Sequence, residues 1–288
     1  MLLVCLTVLL LALPVAASAQ HGVNHDSIAL VTAQWRVDTM KGFVFKQVHF
    51  AHQEYMRSNQ MFSVIEVPPA STVRYRLAYE PQLATTSRQA LASRALAAVN
   101  GSFFDMQEHN PICYLRINGS EVGDNTPGVD TVNRKYYQYA TLVIDSGRIR
   151  LLRPEPSRHW ERALPHRNVM TAGPMLLWQG SYVLQRRDRT FVTDRHNRTA
   201  LGLKADGTVV ILVADGRMRQ AAGLSLFELQ RTMRYLGCVD AINFDGGGSS
   251  TMYVRGRGEQ GIVNYPSDNN LFDRGGQRPV SSVFLIVP

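Results

Sequence analysis

The chain has 288 residues, 31 Lys plus Arg against 23 Asp plus Glu, and a formal net charge of +8. Hydrophobic residues make up 45% of it and charged residues 19%, the balance of a globular protein with room for one large core. The positive charge suits an anionic partner, but the arginines are scattered, with no dense basic block and no nucleic-acid module, so a nucleic-acid partner is not expected.

Residues 1–20 are uncharged and mostly apolar, and Ala17-Ser18-Ala19 forms an A-x-A cleavage signal. We read 1–19 as a signal peptide and expect an exported, periplasmic or extracellular protein. No later segment is apolar enough to span a membrane. Residues 20–38 are mixed and polar and are expected to be a loose N-terminal arm. Residues 39–288 are read as one domain, without repeats or linkers. The cysteines left after processing, Cys113 and Cys238, either pair or remain buried thiols. Neither stands in a C-x-x-C pattern, which excludes zinc-ribbon and thioredoxin-like chemistry.

Strand-like residues start near Phe43 and return at 61–67 before Pro68-Pro69. Val73, Tyr75, Leu77 and Tyr79 alternate as a half-buried strand does. Residues 86–97 have helix-forming composition and run into an apolar strand that turns at Gly101. Asn118-Gly119 marks a tight turn, and residues 121–135 a polar loop. Strands at 138–145 and 148–152 are joined by Ser146-Gly147. Another strand is expected at 175–178, after Ala172-Gly173-Pro174. Residues 199–204 and 208–214 form a hairpin through Ala205-Asp206-Gly207. Ser225 and Glu228 make a capping box for a helix with an apolar face of Leu226, Leu229, Met233 and Leu236, which Gly237 ends. A buried strand at 239–244 leads into Asp245-Gly246-Gly247-Gly248-Ser249-Ser250-Thr251, and 280–287 closes the chain. The expected fold class is α+β (mixed α/β): a single domain with a large mixed, mostly antiparallel sheet flanked by helices.

Four apolar strands end in polar clusters: Asn100 to Asp105, Arg198-Thr199, Asp215-Gly216-Arg217 and Asp245 to Thr251. Strand ends are where a rigid scaffold presents reactive groups, so the four are expected to share one site. The three glycines cost backbone entropy and add no core; they offer close approach and amides for an anion. Other chemistries fail on the residues. Thr251 stands where a nucleophile elbow needs glycine, no lysine follows the glycines as in a Walker loop, and no histidines form H-E-x-x-H. His49 and His52 are read as surface or satisfied core residues. No motif requires a cofactor; oxygen-rich turns at Asp268-Asn269-Asn270 and at 124–130 would admit a divalent cation. Three N-x-S/T sequons start at Asn100, Asn118 and Asn197, two of them inside the proposed site.

At these residues the chain resembles the phosphodiester glycosidase family, whose bacterial members are similar to the lumenal domain of the mammalian mannose 6-phosphate uncovering enzyme. The resemblance rests on residues 99–105, Ala172-Gly173-Pro174, residues 198–202, residues 213–217 and residues 241–252, with Arg278-Pro279-Val280 near the end. It implies a mixed α/β domain with one cavity lined by these motifs, and cleavage between an N-acetylglucosamine-type sugar and a phosphodiester. Such chemistry needs a carboxylate near the anomeric carbon and cations at the phosphate. Asp245, Asp215 and Asp105 are the catalytic candidates, with Asp245 as nucleophile or base. Arg198 and Arg217 are phosphate candidates, since a guanidinium meets phosphate in a bidentate fork. Amides of Gly246, Gly247 and Gly248 would hold a phosphate or sugar oxygen, while Ser249, Ser250, Thr251, Thr199 and Asn100 would bind substrate or brace the loop, and Arg278 completes the set. Two other readings stand beside this one: a non-catalytic sugar-phosphate binding module of the envelope, and an ordinary glycosidase of envelope polysaccharide.

Overall fold

The computed structural model describes residues 24–126, 135–155, 157, 159–184 and 190–288. Residues 1–19, read as a signal peptide, lie outside them. In chain order come α1 (His25–Val31), β1 (Arg36–Met40), β2 (Phe43–Tyr55), β3 (Ser58–Val67), β4 (Arg74–Ala84), α2 (Thr86–Ala92), β5 (Ala97–Asn100), β6 (Leu115–Ile117) and β7 (Ser120–Gly123). Then follow β8 (Ala140–Asp145), β9 (Arg148–Leu152), β10 (Asn168–Ala172), β11 (Met175–Trp178), β12 (Ser181–Tyr182), α3 (Thr190–Thr193), β13 (Arg198–Lys204) and β14 (Val209–Ala214). The chain closes with α4 (Leu226–Tyr235), β15 (Cys238–Asn243), β16 (Met252–Val254) and β17 (Val280–Val287).

The class is α+β, as expected, but the strands divide among three sheets. An eight-stranded sheet runs β1-β2-β3-β14-β13-β15-β11-β12, a five-stranded one β7-β6-β10-β8-β9, and a four-stranded one β16-β5-β17-β4. Among the described residues every pairing between these strands is antiparallel. The strands of the β14–α4–β15 unit do not pair with each other: β13 lies between them and is antiparallel to both.

The main core joins all three sheets, with Phe45, Ile65 and Ile211 from the largest, Leu142 and Met170 from the second, and Val99 and Phe284 from the third. β14 is buried along its whole length. Its sequence Val-Val-Ile-Leu-Val-Ala is therefore a continuous apolar run rather than an alternation. Ile211 and Val213 face the main core, while Val210 and Leu212 face a second layer built with Leu226, Leu229 and Met233 of α4.

α4 begins where the capping box puts it. The Ser225 hydroxyl accepts from the Glu228 N–H, and the Glu228 carboxylate accepts from the Ser225 N–H at 2.8 Å. Gly237, at φ +91°, ends it. The turns at Asn118-Gly119 and Ser146-Gly147 also form, with positive φ at both residues of each.

Two expectations change, and one open alternative is decided. The loose arm is ordered over its described residues: Asn24 caps α1, Leu30 is buried, and β1 pairs along β2. The helix expected to reach residue 97 ends at Ala92, because Ala97 is needed in β5 against β17. Cys113 and Cys238 are free, buried thiols, each pushed up to about 12 by burial.

α4 approaches β13 closely at Gly202, where a Cβ would lie 2.6 Å from the Cys238 sulfur and 2.8 Å from Met233 Cε. Gly202→Ala is expected to destabilise the protein by about 1–3 kcal/mol through overpacking. Chemical denaturation checks this; an unchanged midpoint would mean that α4 does not sit this close to the sheet.

Candidate active site

The sheet order brings the four strand ends together. Arg198 stands opposite Ala214, and Ala200 opposite Asn243, so the start of β13 meets the ends of β14 and β15. Asn100, at the end of β5, joins them. Its amide nitrogen donates to the Asp245 carbonyl at 2.7 Å. Its oxygen accepts from the Thr199 hydroxyl at 2.8 Å and the Thr251 N–H at 3.2 Å. The Asp245 N–H donates to the Gly101 carbonyl at 3.1 Å. Asn100 and Thr199 are completely buried, so both brace the site from beneath and neither is free to bind substrate. Burial also closes the sequons at Asn100 and Asn197.

Each glycine of the triplet has its own reason. A Cβ on Gly246 would meet the Asn197 carbonyl at 2.8 Å. Gly247 has φ +61°, and a Cβ there would lie 2.8 Å from the Arg217 guanidinium. On Gly248 it would lie 2.5 Å from the Arg278 guanidinium and press on the Asp268 carboxylate. The loop is thus a surface on which two guanidiniums rest. Its amides are less available than expected: the Gly246 N–H donates to Asp245 Oδ1 at 2.8 Å, and the Gly247 N–H to the Asn197 carbonyl at 2.9 Å.

Burial sets the aspartates apart from ordinary surface carboxylates. Asp245 is half-buried. Desolvation pushes it up to about 6, against the opposing pull of the Ser249 hydroxyl, the Gly246 N–H, Arg278 and Arg217. Asp215 is 1% exposed, and desolvation pushes it up to about 7. Its Oδ1 accepts from Asn264 Nδ2 at 2.8 Å and the Tyr265 N–H at 3.0 Å, while Oδ2 has no donor. Asp105 differs: its Oδ1 caps a turn by accepting from the Gln107 and Glu108 N–H groups, which hold its pKa down. That turn is a local structural task, and no hydrogen bond or ion pair among the described residues joins Asp105 to the other candidates.

The arginines also divide. Arg198 is 2% exposed. Its Nε donates to the Leu224 carbonyl at 2.8 Å, and one terminal nitrogen to the carbonyls of Phe191 and Asp194 at 3.0 and 2.9 Å. Burial, with Arg217 nearby, pulls it down to about 10. It holds the segment before β13 in place and does not offer its fork to a phosphate. Arg217 is exposed. Its Nε donates to His196 Nδ1 at 3.3 Å, and among the described residues it forms no ion pair. Arg278 pairs with Asp268 through Nε at 2.8 Å and a terminal nitrogen. Among the described residues neither Arg198 nor Arg217 forms a salt bridge to Asp215 or Asp245.

Residues 93–287 match the family model for phosphodiester glycosidase. The chain belongs to that family. It is similar to N-acetylglucosamine-1-phosphodiester alpha-N-acetylglucosaminidase of Mus musculus, 39% identical over 79 residues, which cover 27% of this chain and 14% of the mouse protein. The matched stretch is thus about a seventh of that relative's length. Among solved structures it is similar to the catalytic domain of the zebrafish enzyme of that name, auto-inhibited by its pro-peptide, with a TM-score of 0.66, 19% identity and 91% and 90% of the two chains covered. A hypothetical protein from Synechocystis shares the fold at a TM-score of 0.62 and 15% identity, over 88% and 63% of the chains.

The family motifs leave out part of the site. Asn264 holds Asp215 and also donates to the Ser250 carbonyl at 3.1 Å. Tyr265 stacks on Phe272 at 4.0 Å, with the Arg274 guanidinium 5.4 Å from the tyrosine ring centre. The Asn197 amide, oriented for both partners, pairs with the N–H and carbonyl of Gly216 at 3.0 and 3.1 Å. The nearby signal in the sequence was the oxygen-rich turn at Asp268-Asn269-Asn270, and it suggested only a cation. Asp268 is taken by Arg278, Asn269 donates to Asp273, and Asp124 pairs with Arg162. Residues 127–130 lie outside the described residues.

Because Asp215 keeps its proton in the folded protein to about pH 7, and loses it near pH 4 when unfolded, its burial lowers stability as pH rises between the two. Asp215→Asn is therefore expected to raise stability at about pH 8 by on the order of 3–4 kcal/mol, with no gain near pH 4. Melting temperatures across that range check this; equal values at the alkaline end would refute the buried, undonated Oδ2.

Proposed function

We propose that the protein is an exported hydrolase that cleaves the bond between C1 of an N-acetylglucosamine-type sugar and a phosphodiester. The observation that supports this most is one arrangement: the Asp245 carboxyl stands at the mouth of a glycine loop on which the Arg217 and Arg278 guanidiniums rest. A carboxylate beside two cations suits a substrate whose anomeric carbon is bonded to an anion.

In the proposed reaction water adds at C1, the C1–O bond breaks, and the departing oxygen stays with phosphorus. The carboxylate of Asp245 acts at the anomeric centre as nucleophile or base, where positive charge develops. Arg217 takes the phosphate oxygens in a bidentate fork, and Arg278 shares its charge between them and Asp268. Asp215 is the second carboxyl, poised to hold a proton at neutral pH. A phosphate leaves more readily than a sugar hydroxyl, so proton delivery matters less here than in an ordinary glycosidase. Asn100, Thr199 and Arg198 keep these groups in register. Asp105 positions the turn after β5.

Release of N-acetylglucosamine from its 1-phosphomethyl diester by the purified protein tests the activity. Asp245→Asn is expected to lower kcat/KM by about 10³-fold or more, and Asp215→Asn by about 10–100-fold. Arg217→Ala is expected to act mainly through KM, and to spare an aryl N-acetylglucosaminide that lacks phosphate. Undiminished turnover in a folded Asp245→Asn variant would remove its role. Binding without product in the wild type would favour the non-catalytic module.

The activity should also follow the two carboxyls. With Asp245 near 6 and Asp215 near 7, kcat/KM rises as Asp245 ionises and falls as Asp215 loses its proton. A pH–rate profile with its maximum between these values is the expected result; a plateau extending well above neutrality would exclude Asp215 as a proton donor.

A further inference from the structure

A cavity of about 850 Å³ lies apart from the candidate active site and shares no residue with it. Its lining includes Arg74, Arg76, Arg94, Arg167, His166 and Tyr75. β17 shows how far apart the two places are. Ser282, near its start, accepts the Gly101 N–H beside Asp245, and Val287, five residues later, lines the cavity. At strand rise that is about 17 Å. β10 makes the same connection, with Asn168 at the cavity and Thr171 accepting from Ser102 behind the active site. The two places occupy opposite ends of the same strands.

The cavity has one dominant charge. All four arginines are exposed. Arg74 and Arg76 are two residues apart on β4, the edge strand of its sheet, and so share a face. Among the described residues no Asp or Glu carboxylate pairs with any of the four. The acid in the lining, Asp145, lies 3.9 Å from His166 instead. The His166 side chain is only 10% exposed, and its Nδ1 is buried without a partner. Arg74 Nε donates to the Pro288 carbonyl oxygen at 3.1 Å and Arg167 to the Asn118 carbonyl at 2.8 Å; without an Asp or Glu partner the four guanidiniums repel one another, and a multivalent anion relieves that repulsion. The wall is not purely ionic. Tyr75 is half-buried, fixed by stacking on Phe284 at 5.7 Å, and Pro165 and Val287 add apolar surface. Apolar and aromatic surface beside a few convergent polar groups is the make-up of a ligand pocket.

We propose that this cavity is a second binding site, for a phosphate group and its adjoining sugar on a phosphorylated glycan chain. The choice of sugar phosphate over other anions rests on the proposed function; the anion site itself does not. A chain held here and at Asp245 would be gripped at two points on opposite ends of β17, so the site favours an extended substrate over a short one.

The test is binding of a fluorescent phosphorylated mannan oligosaccharide at low ionic strength, beside the same oligosaccharide after dephosphorylation and a polyphosphate of matched charge. The proteins are the full chain, Arg74→Gln/Arg76→Gln/Arg167→Gln, and Arg217→Gln. The expected result is preference for the phosphorylated glycan over both others, weakened roughly tenfold or more in the triple variant but largely kept in Arg217→Gln. The triple variant should melt with the wild type and turn over a small sugar-1-phosphodiester equally well; Arg167→Gln alone serves if it does not. Unchanged affinity in these variants would overturn the site. Equal binding of the dephosphorylated chain would overturn its anion specificity, and equal binding of polyphosphate its sugar component. If the wild type binds as expected but hydrolyses nothing, the proposed function fails and the second site stands.

Discussion

The site depends on one buried side chain, the amide of Asn100. It holds the Asp245 carbonyl with its nitrogen, and the Thr199 hydroxyl and Thr251 N–H with its oxygen. These partners belong to two segments far apart in sequence, the start of β13 and the loop from Asp245 to Thr251, and Asn100 comes from a third. An amide is suited to this, since it donates and accepts on one rigid plane and carries no charge that would further raise the pKa of Asp245. An aspartate there would lose the donor to the Asp245 carbonyl and place a second carboxylate against the first. Removing the amide would leave buried polar groups without partners, which costs more than the bonds contribute net.

With Asp245 fixed, the glycine loop and the guanidiniums explain one another. Arg217 and Arg278 rest where Cβ atoms would be on Gly247 and Gly248. Three consecutive glycines weaken a chain that needs only a turn, so each glycine here answers a separate contact: a backbone carbonyl, then one guanidinium, then another with its carboxylate. The amides were the obvious attraction of such a run. The Gly246 and Gly247 amides instead stabilise the loop's own fold, and the anion-directed charge comes from side chains above it.

Much of this was legible in the sequence where a local rule decides. The capping box of Ser225 and Glu228, the Asn118-Gly119 turn and the apolar run of β14 each have a cause within a few residues. The convergence of the four strand ends was legible as a pattern, because polar clusters after apolar runs mark one edge of a sheet. What depended on tertiary contact was not. The splitting of the strands into three sheets follows from how the sheets share one core. Arg198 reads like Arg217 in sequence, yet burial against the Leu224, Phe191 and Asp194 carbonyls makes it a brace. Asp105 shares the motif of Asn100 but faces its own turn. Asn264 carries no motif at all, and only the fold brings it to Asp215.

The charge distribution gives the net +8 a structural meaning that composition could not. Arg217 at the glycine loop and the four arginines of the cavity at the far end of β17 have no Asp or Glu partner among the described residues, whereas Arg278 pairs with Asp268. Between them β17 is buried along its whole length. The carboxyls of the site divide: burial raises Asp215 and Asp245 toward neutrality, while Asp268 beside Gly248 pairs with Arg278. Near pH 7 the active-site end therefore keeps its guanidinium charge while part of its carboxylate charge is held as protons. That imbalance weakens the fold by an amount a neutral asparagine would avoid. Under the proposed function, it is the condition under which a negatively charged substrate would be drawn in and still find a carboxylate able to act at its anomeric carbon.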